Sequence, residues 1–327
     1  MRIAIIGASG MLGHHAAAAA LAAGHELRIT YRREAALAKL QDLRYEAVQA
    51  DLDDRDSLTR ALQGVDGVIN AAAYYPTLPR RWQDDVADAR RQMENFFAAA
   101  EAAKVGRILY VGGAIALPKR RDGLPADGSG RYQSPPLTSN GYVQVKWAMD
   151  EMSLQKAAEG LPVSIGIPSM TFGEYDWGPS TGQFVTGIAS GKLPRYVQGR
   201  RNVVYAGDAG RGLVLALERG LPGKRYLLTG QNTDMDQLTA TIARVSGMPA
   251  PRPAPLLVAS SIGKLQNWRY RAFGGKLPTI SETAIAVMSA GQHLDDSSGK
   301  LIGYTPSVGL DEMIERALKW FRAQKMC

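Results

Sequence analysis

Residues 2–13 constrain this chain more than any other stretch. Arg2-Ile3-Ala4-Ile5-Ile6 has the character of a buried strand, and it runs without a break into Gly7-Ala8-Ser9-Gly10-Met11-Leu12-Gly13 and a helical segment, Leu12–Ala23. A glycine at 7 permits the tight turn out of the strand. One at 10 lets a pyrophosphate approach the backbone, and one at 13 lets the helix pack close to the strand. The helix start then offers unpaired N–H groups and the positive end of its dipole to the phosphates. Gly7, Ser9, Gly10, Met11, Leu12 and Gly13 are therefore expected to hold a dinucleotide.

The rest of the first half repeats the strand–helix alternation. Strands are expected at Arg2–Ile6, Glu26–Tyr31, Tyr45–Gln49, Gly67–Asn70, Arg107–Val111 and Val163–Ile167. Helices are expected at Leu12–Ala23, Glu34–Leu40, Arg55–Leu62, Asp84–Ala103 and Tyr142–Ala158. Such alternation implies an α/β fold, a Rossmann-type doubly wound parallel sheet with right-handed crossovers. At 327 residues, one large domain with a smaller C-terminal substrate lobe is expected. Residues 1–170 form the dinucleotide-binding domain, with 202–230 returning to it, and 171–201 and 231–327 form the lobe. After Pro168 the pattern degrades. Gly173–Arg201 is irregular, and Met248–Leu257, with prolines at 249, 251, 253 and 255, reads as a surface linker rather than part of a sheet. Leu310–Arg322 is amphipathic and closes the chain.

The end of the second expected strand selects the ribose. A carboxylate there suits the 2′-hydroxyl of NAD, whereas this chain has Tyr31-Arg32-Arg33. Guanidinium groups match a 2′-phosphate, so Arg32 and Arg33 favour NADP over NAD. Asp51 and Leu52 suit the adenine rim. Ala71, Ala72 and Ala73 are small where the cofactor passes.

Tyr142 and Lys146 stand four residues apart at the start of an expected helix, on one face of it. A neighbouring cation lowers a phenol's pKa, which would let Tyr142 exchange a proton with a carbonyl or alcohol. Lys146 would also hold the nicotinamide ribose.

Together, GASGMLG at 7–13, NAAA at 70–73, YVQVK at 142–146, NVVYAGDAGRGLVLALERG at 202–220 and KLIGYTP at 300–306 resemble the extended short-chain dehydrogenase/reductase family. The resemblance is to its NAD-dependent epimerase/dehydratase and dihydroflavonol-reductase-like members, over nearly the whole chain. It implies an enzyme with the Tyr–Lys pair as catalytic groups and substrate held between the N-terminal domain and a small lobe. It also implies a homodimer formed through the helices at 84–103 and 142–158. Two departures stand out. The family's hydroxyl residue after the fifth strand is replaced by Gly113, with Ser139, Tyr74 or a water as candidate substitutes. The family's Arg-Pro is here Ile167-Pro168, with Pro168 and Ser169 expected to line the nicotinamide pocket. The resemblance leaves three activities open: an NADP-dependent carbonyl reductase or alcohol dehydrogenase, a nucleotide-sugar epimerase or dehydratase using Arg195, Arg200 or Arg201 on a phosphate, and a non-catalytic NADP(H) sensor.

Composition narrows the partners. The formal charge of +8 is scattered in pairs without interleaved aromatics, which argues against nucleic acid and for a small anionic ligand. The only cysteine is Cys327, which excludes an intramolecular disulfide. The apolar run Ala16–Ala23 is too short to span a bilayer, and the start of the chain reads as a strand rather than a leader, so no membrane partner and a cytoplasmic location are expected. His14, His15, His25 and His293 lack ligand spacing, and no metal is expected. Tyr74, Tyr75, Trp82, Tyr175 and Trp177 are candidate substrate walls, Tyr74 and Tyr175 foremost among them.

Overall fold

The computed structural model describes residues 1–327 apart from 73, 77–79, 179, 276–283 and 285–289. Seven parallel strands form the main sheet: β1 (Arg2–Ile6), β2 (Glu26–Tyr31), β3 (Glu46–Gln49), β4 (Gly67–Asn70), β5 (Arg107–Val111), β6 (Val163–Pro168) and β10 (Arg225–Leu228). Their order across the sheet is β10-β6-β5-β4-β1-β2-β3, so the chain winds one way from β1 to β3 and the other way from β4 onward. The reversal lies between β1 and β4, where an open α/β sheet has its ligand crevice at the carboxyl ends of the strands.

Alternate residues of each strand feed the two faces. Val68 joins one core with Phe96, Phe97, Val145 and Met149, under α2 (Arg55–Leu62), α3 (Trp82–Ala102) and α4 (Gly141–Ala158). Ile69 joins the other with Ala16, Ala17, Leu213 and Leu217, under α1 (Met11–Ala22) and α6 (Ala206–Arg219). The alanines of α1 matter here: without bulky side chains, α1 and α6 approach so closely that a Cβ at Gly210 would lie 2.4 Å from the His15 carbonyl carbon. The segment Glu34–Lys39 forms a 3-10 helix rather than an α-helix.

The rest of the chain builds a smaller body. Strands β7 (Met170–Phe172), β9 (Arg200–Tyr205) and β11 (Gln231–Asp234) form a three-stranded sheet. Helices α5 (Gln183–Ala189), α7 (Met235–Ser246) and the C-terminal helix Leu310–Ala323 share a core with it, centred on Phe172, Leu238, Met313 and Phe321. The stretch 202–230 divides between the two bodies, since β9 lies in the small sheet while β10 is an edge strand of the large one.

The proline-rich stretch corrects one expectation. Strand β12 (Arg252–Pro253) lies within it and pairs in parallel with β8 (Arg195–Tyr196). The prolines permit this because they occupy the non-donating positions. Arg252 donates its N–H to the Pro194 carbonyl at 3.0 Å and Ala254 donates to Tyr196 at 2.7 Å, while Pro251 and Pro253 have no N–H to satisfy. Helix α8 (Leu256–Phe273) follows at once.

Candidate active site

The glycine turn at the end of β1 has the shape a pyrophosphate needs. Gly7 has φ +85°, and a Cβ there would stand 2.8 Å from the Cβ and N of Ala72. A Cβ at Gly13 would lie 2.2 Å from the Gly7 carbonyl oxygen, so only glycine lets α1 start this close to the strand. Gly10 donates to Gly7 at 3.1 Å and precedes α1 in extended backbone. No side chain caps this helix and no acid lies in its first turn, which leaves the amides at Met11 and Leu12 for an anion. Ser9, Met11 and Leu12 are partly buried along the rim. Ala71 and Ala72 form the facing wall. Ala71 donates its N–H to Ile6 at 2.9 Å and Ala72 to the Asn70 side chain at 3.1 Å, while Ala73 lies outside the described residues.

Arg32 and Arg33 follow β2 with exposed side chains and form no ion pair among the described residues. Asp51 lies at the neighbouring strand end, its carboxylate accepting from the Asp53 N–H at 3.1 Å, and Leu52 packs against the core beside it. At the end of β6, Pro168 completes the strand. Ser169 is buried, and its hydroxyl has no hydrogen-bond partner among the described residues. An orphaned buried hydroxyl and a cradle that any Cβ would fill both fit a nicotinamide dinucleotide.

Helix α4 presents the other half of the site. Asn140 caps it, accepting from the N–H groups of Tyr142 (3.1 Å) and Val143 (3.3 Å). This fixes Tyr142 in the first turn, with the Lys146 ammonium 6.0 Å from its ring centroid. The Tyr75 ring packs 4.9 Å from that of Tyr142. Lys146 is buried, and burial lowers its pKa to about 8. The Tyr142 phenol moves opposite to the sequence expectation. Burial raises its pKa, and the neighbouring Tyr75 adds to the rise. A cation that is itself starved of solvent, 6 Å from the ring, does not offset the cost of charging the phenol.

Gly113 faces the same corner. A Cβ there would sit 3.7 Å from Lys146 Cδ, an ordinary contact, so the position has room for the side chain it lacks. Tyr74 spends its hydroxyl on the Asp85 carboxylate at 2.9 Å, and its pKa rises to about 12 through burial and then through Asp85. Ser139 is exposed on the loop before Asn140. Arg80 pairs with Asp85 at 2.6 Å and with Asp88, and buried Asp85 lies so near Gly141 that a Cβ there would meet its carboxylate at 2.8 Å. Asp85 therefore braces the start of α4. Sequence reasoning did not single it out, since nothing in its spacing distinguishes it from other helical carboxylates.

Tyr175 belongs to a different cluster. It has φ +65° and stacks on His14 with ring centroids 3.5 Å apart, and its hydroxyl donates to Asp42 at 2.8 Å. His14 meets the same carboxylate at 3.0 Å. Of the three phosphate candidates, Arg195 is exposed, Arg200 donates to the Gly123 carbonyl at 3.4 Å, and buried Arg201 donates to the Arg200 carbonyl at 2.6 Å. Among the described residues no cluster of His, Cys, Asp and Glu could hold a metal ion.

A sequence model of the NAD dependent epimerase/dehydratase family matches residues 3–228. The chain belongs to this family. As a family member it is an enzyme of the extended short-chain dehydrogenase/reductase class, whose members bind NAD(P). A crystal structure described as a nucleoside-diphosphate-sugar epimerase from Pseudomonas aeruginosa is 41% identical, with a TM-score of 0.87 over 100% of this chain and 99% of that one. The chain is also similar to sterol demethylase protein B of Methylococcus capsulatus, at 28% identity over 100% of each chain. A putative dihydroflavonol 4-reductase of Synechocystis sp. is 27% identical over 97% of this chain and 94% of its own.

Proposed function

We propose that this family member is an NADP-dependent oxidoreductase that reduces an aldehyde or ketone, or oxidises the matching alcohol. One observation carries the reading: buried Lys146 and the Tyr142 phenol share a corner with an open position at Gly113, beside a glycine cradle shaped for a dinucleotide. When bound, the cofactor supplies or accepts the hydride. Tyr142 is neutral near neutral pH and stands ready to donate its proton to a carbonyl oxygen as that oxygen gains charge. Lys146 then steadies the phenolate and takes part in its reprotonation, a task suited to a pKa of about 8. Arg32 and Arg33, exposed and without ion pairs among the described residues, bind the 2′-phosphate. Substrate lies between the large-sheet body and the smaller one.

The test is NADPH consumption with a panel of aldehydes and ketones, run beside chromatographic analysis of nucleotide sugars incubated with the enzyme and oxidised cofactor, a redox-neutral conversion that consumes no NADPH. Turnover of a carbonyl compound supports the reading, and turnover of nucleotide sugars alone overturns it. Similarity to the Pseudomonas protein favours epimerisation as the second reading. Against it, Arg200 and Arg201 both donate to backbone carbonyls. By family resemblance the chain forms a homodimer through the adjacent helices α3 and α4, which a two-chain mass in light scattering would bear out.

A further inference from the structure

Helix α8 is turned inside out. Among its described residues, Gly263 and Asn267 are the buried ones, Asn267 donating to the Gly263 carbonyl at 2.7 Å, while its large apolar side chains face outward. Leu257 is 80% exposed, Leu265 65% and Trp268 60%, with Val258 and Ile262 on the same face. Phe273, 76% exposed, meets the Trp268 ring edge-on at 5.9 Å where the helix ends. At about 1.5 Å per residue the 18 residues make a strip about 27 Å long. A monomeric protein rarely leaves so continuous an apolar strip in water.

The sequence through the helix carries charge of one sign. Between Asp236 and Glu282 the sequence contains no acidic residue but carries Arg244, Arg252, Lys264, Arg269, Arg271 and Lys276. Arg244 is paired with Asp311 at 2.5 Å, whereas Lys264 and Arg269 form no ion pair among the described residues. Lys264 is exposed at one border of the apolar face, and Arg269 is exposed near the other. Large apolar groups including a tryptophan, bordered by cations that have no ion pair among the described residues, are what an interfacial helix presents to an anionic lipid headgroup layer. No helix among the described residues is long and apolar enough to cross a membrane, so the contact is in-plane.

We propose that α8 docks the enzyme on an anionic phospholipid surface, with Leu257, Ile262, Leu265 and Trp268 entering the headgroup boundary and Lys264 and Arg269 on the phosphates. This attachment is independent of which reaction the active site performs. A second copy of the chain is the competing occupant, and the unbalanced basic charge disfavours it, because two such faces would repel.

Co-sedimentation of the full chain with vesicles tests the proposal. Vesicles of phosphatidylcholine with phosphatidylglycerol should bind it about tenfold or more tightly than phosphatidylcholine alone, and added salt should weaken the binding. Leu265→Ser with Trp268→Ser, and separately Lys264→Gln with Arg269→Gln, should each reduce binding about tenfold. Unchanged circular dichroism and thermal unfolding show that these surface changes leave the fold intact. Failure of the wild-type chain to bind anionic vesicles, or equal binding by wild type and the Leu265→Ser/Trp268→Ser variant, overturns the proposal. So does a two-chain mass in light scattering that falls to one chain on Leu265→Glu.

Discussion

Two clusters of polar side chains, each built around a buried residue, flank the main sheet, and they differ in what they face. At the start of α4, Lys146 and Tyr142 are pressed against Tyr75 and the bare Gly113, and burial disfavours the charged form of each. At α1, on the opposite face, His14 and Tyr175 both bond Asp42. Beside them, Glu174 accepts from Tyr205, and Arg316 on the C-terminal helix donates to the Tyr205 hydroxyl at 3.2 Å. The second cluster ties α1 to the smaller body through these bonds, although His14 Nδ1 and His15 Nε2 are buried without a hydrogen-bond partner among the described residues, and it holds Tyr175 in a left-handed backbone that a bulky residue rarely adopts. The first leaves a titratable pair facing an open position. The ring contacts and shared carboxylate of the second cluster fasten two bodies together, whereas the first faces the dinucleotide cradle.

The comparison is broken most decisively at the cradle. Gly13→Val drives side-chain atoms into the Gly7 carbonyl, and nucleotide binding should vanish in calorimetry while the protein stays folded. Retained binding would mean that the dinucleotide sits elsewhere.

His15 sharpens the fastening side. Burial pulls its pKa from 6.5 down to about 4, outweighing the upward pull of Glu174. Because the folded value is the lower one, the unfolded chain binds the extra proton first. Stability should therefore fall as pH drops from about 6.5 to about 4 and level off below, by about 3 kcal/mol from this group. Denaturant titrations across that window should show a shallower slope in His15→Gln.

A smaller effect, about tenfold or 1.4 kcal/mol, is expected at the ribose. NADPH should bind tighter than NADH by that factor, and Arg32→Ala with Arg33→Ala should erase the difference in fluorescence titrations. Smallest is Gly113→Ser. The 3.7 Å clearance to Lys146 Cδ admits the side chain, and a hydroxyl aimed at the substrate oxygen should raise kcat by up to about tenfold, well short of a fully aligned donor. A lower kcat would mean that the space at Gly113 belongs to the substrate.

The two clusters were not equally legible in the sequence. The glycine turn and the Tyr142–Lys146 pair each lie within a few residues, where backbone geometry alone fixes who meets whom, and β1, β2, β4 and β5 match their expected bounds. Tyr175 and Asp42 are 133 residues apart, and only the folded chain brings them together. The phenol's pKa was misjudged for a related reason, since spacing reveals the neighbouring cation but not the depth at which both groups are buried. The strand at 252–253 was hidden by its own prolines, which break a ladder only where a donor is required. Helices α7 and α8 had no sequence-based counterpart; α8 directs its apolar residues outward, so hydrophobic periodicity gives no sign of the face it buries.

The central claim is that Tyr142 supplies the proton and is not needed to hold the nucleotide. Measuring Tyr142→Phe for both NADPH affinity and steady-state turnover of a carbonyl substrate accepted by the wild type tests it most directly. The account predicts an NADPH Kd within about twofold of wild type, with kcat lower by about a hundredfold or more. A Tyr142→Phe enzyme that turns over at the wild-type rate would contradict it, and the proton would then have to come from a group other than this phenol.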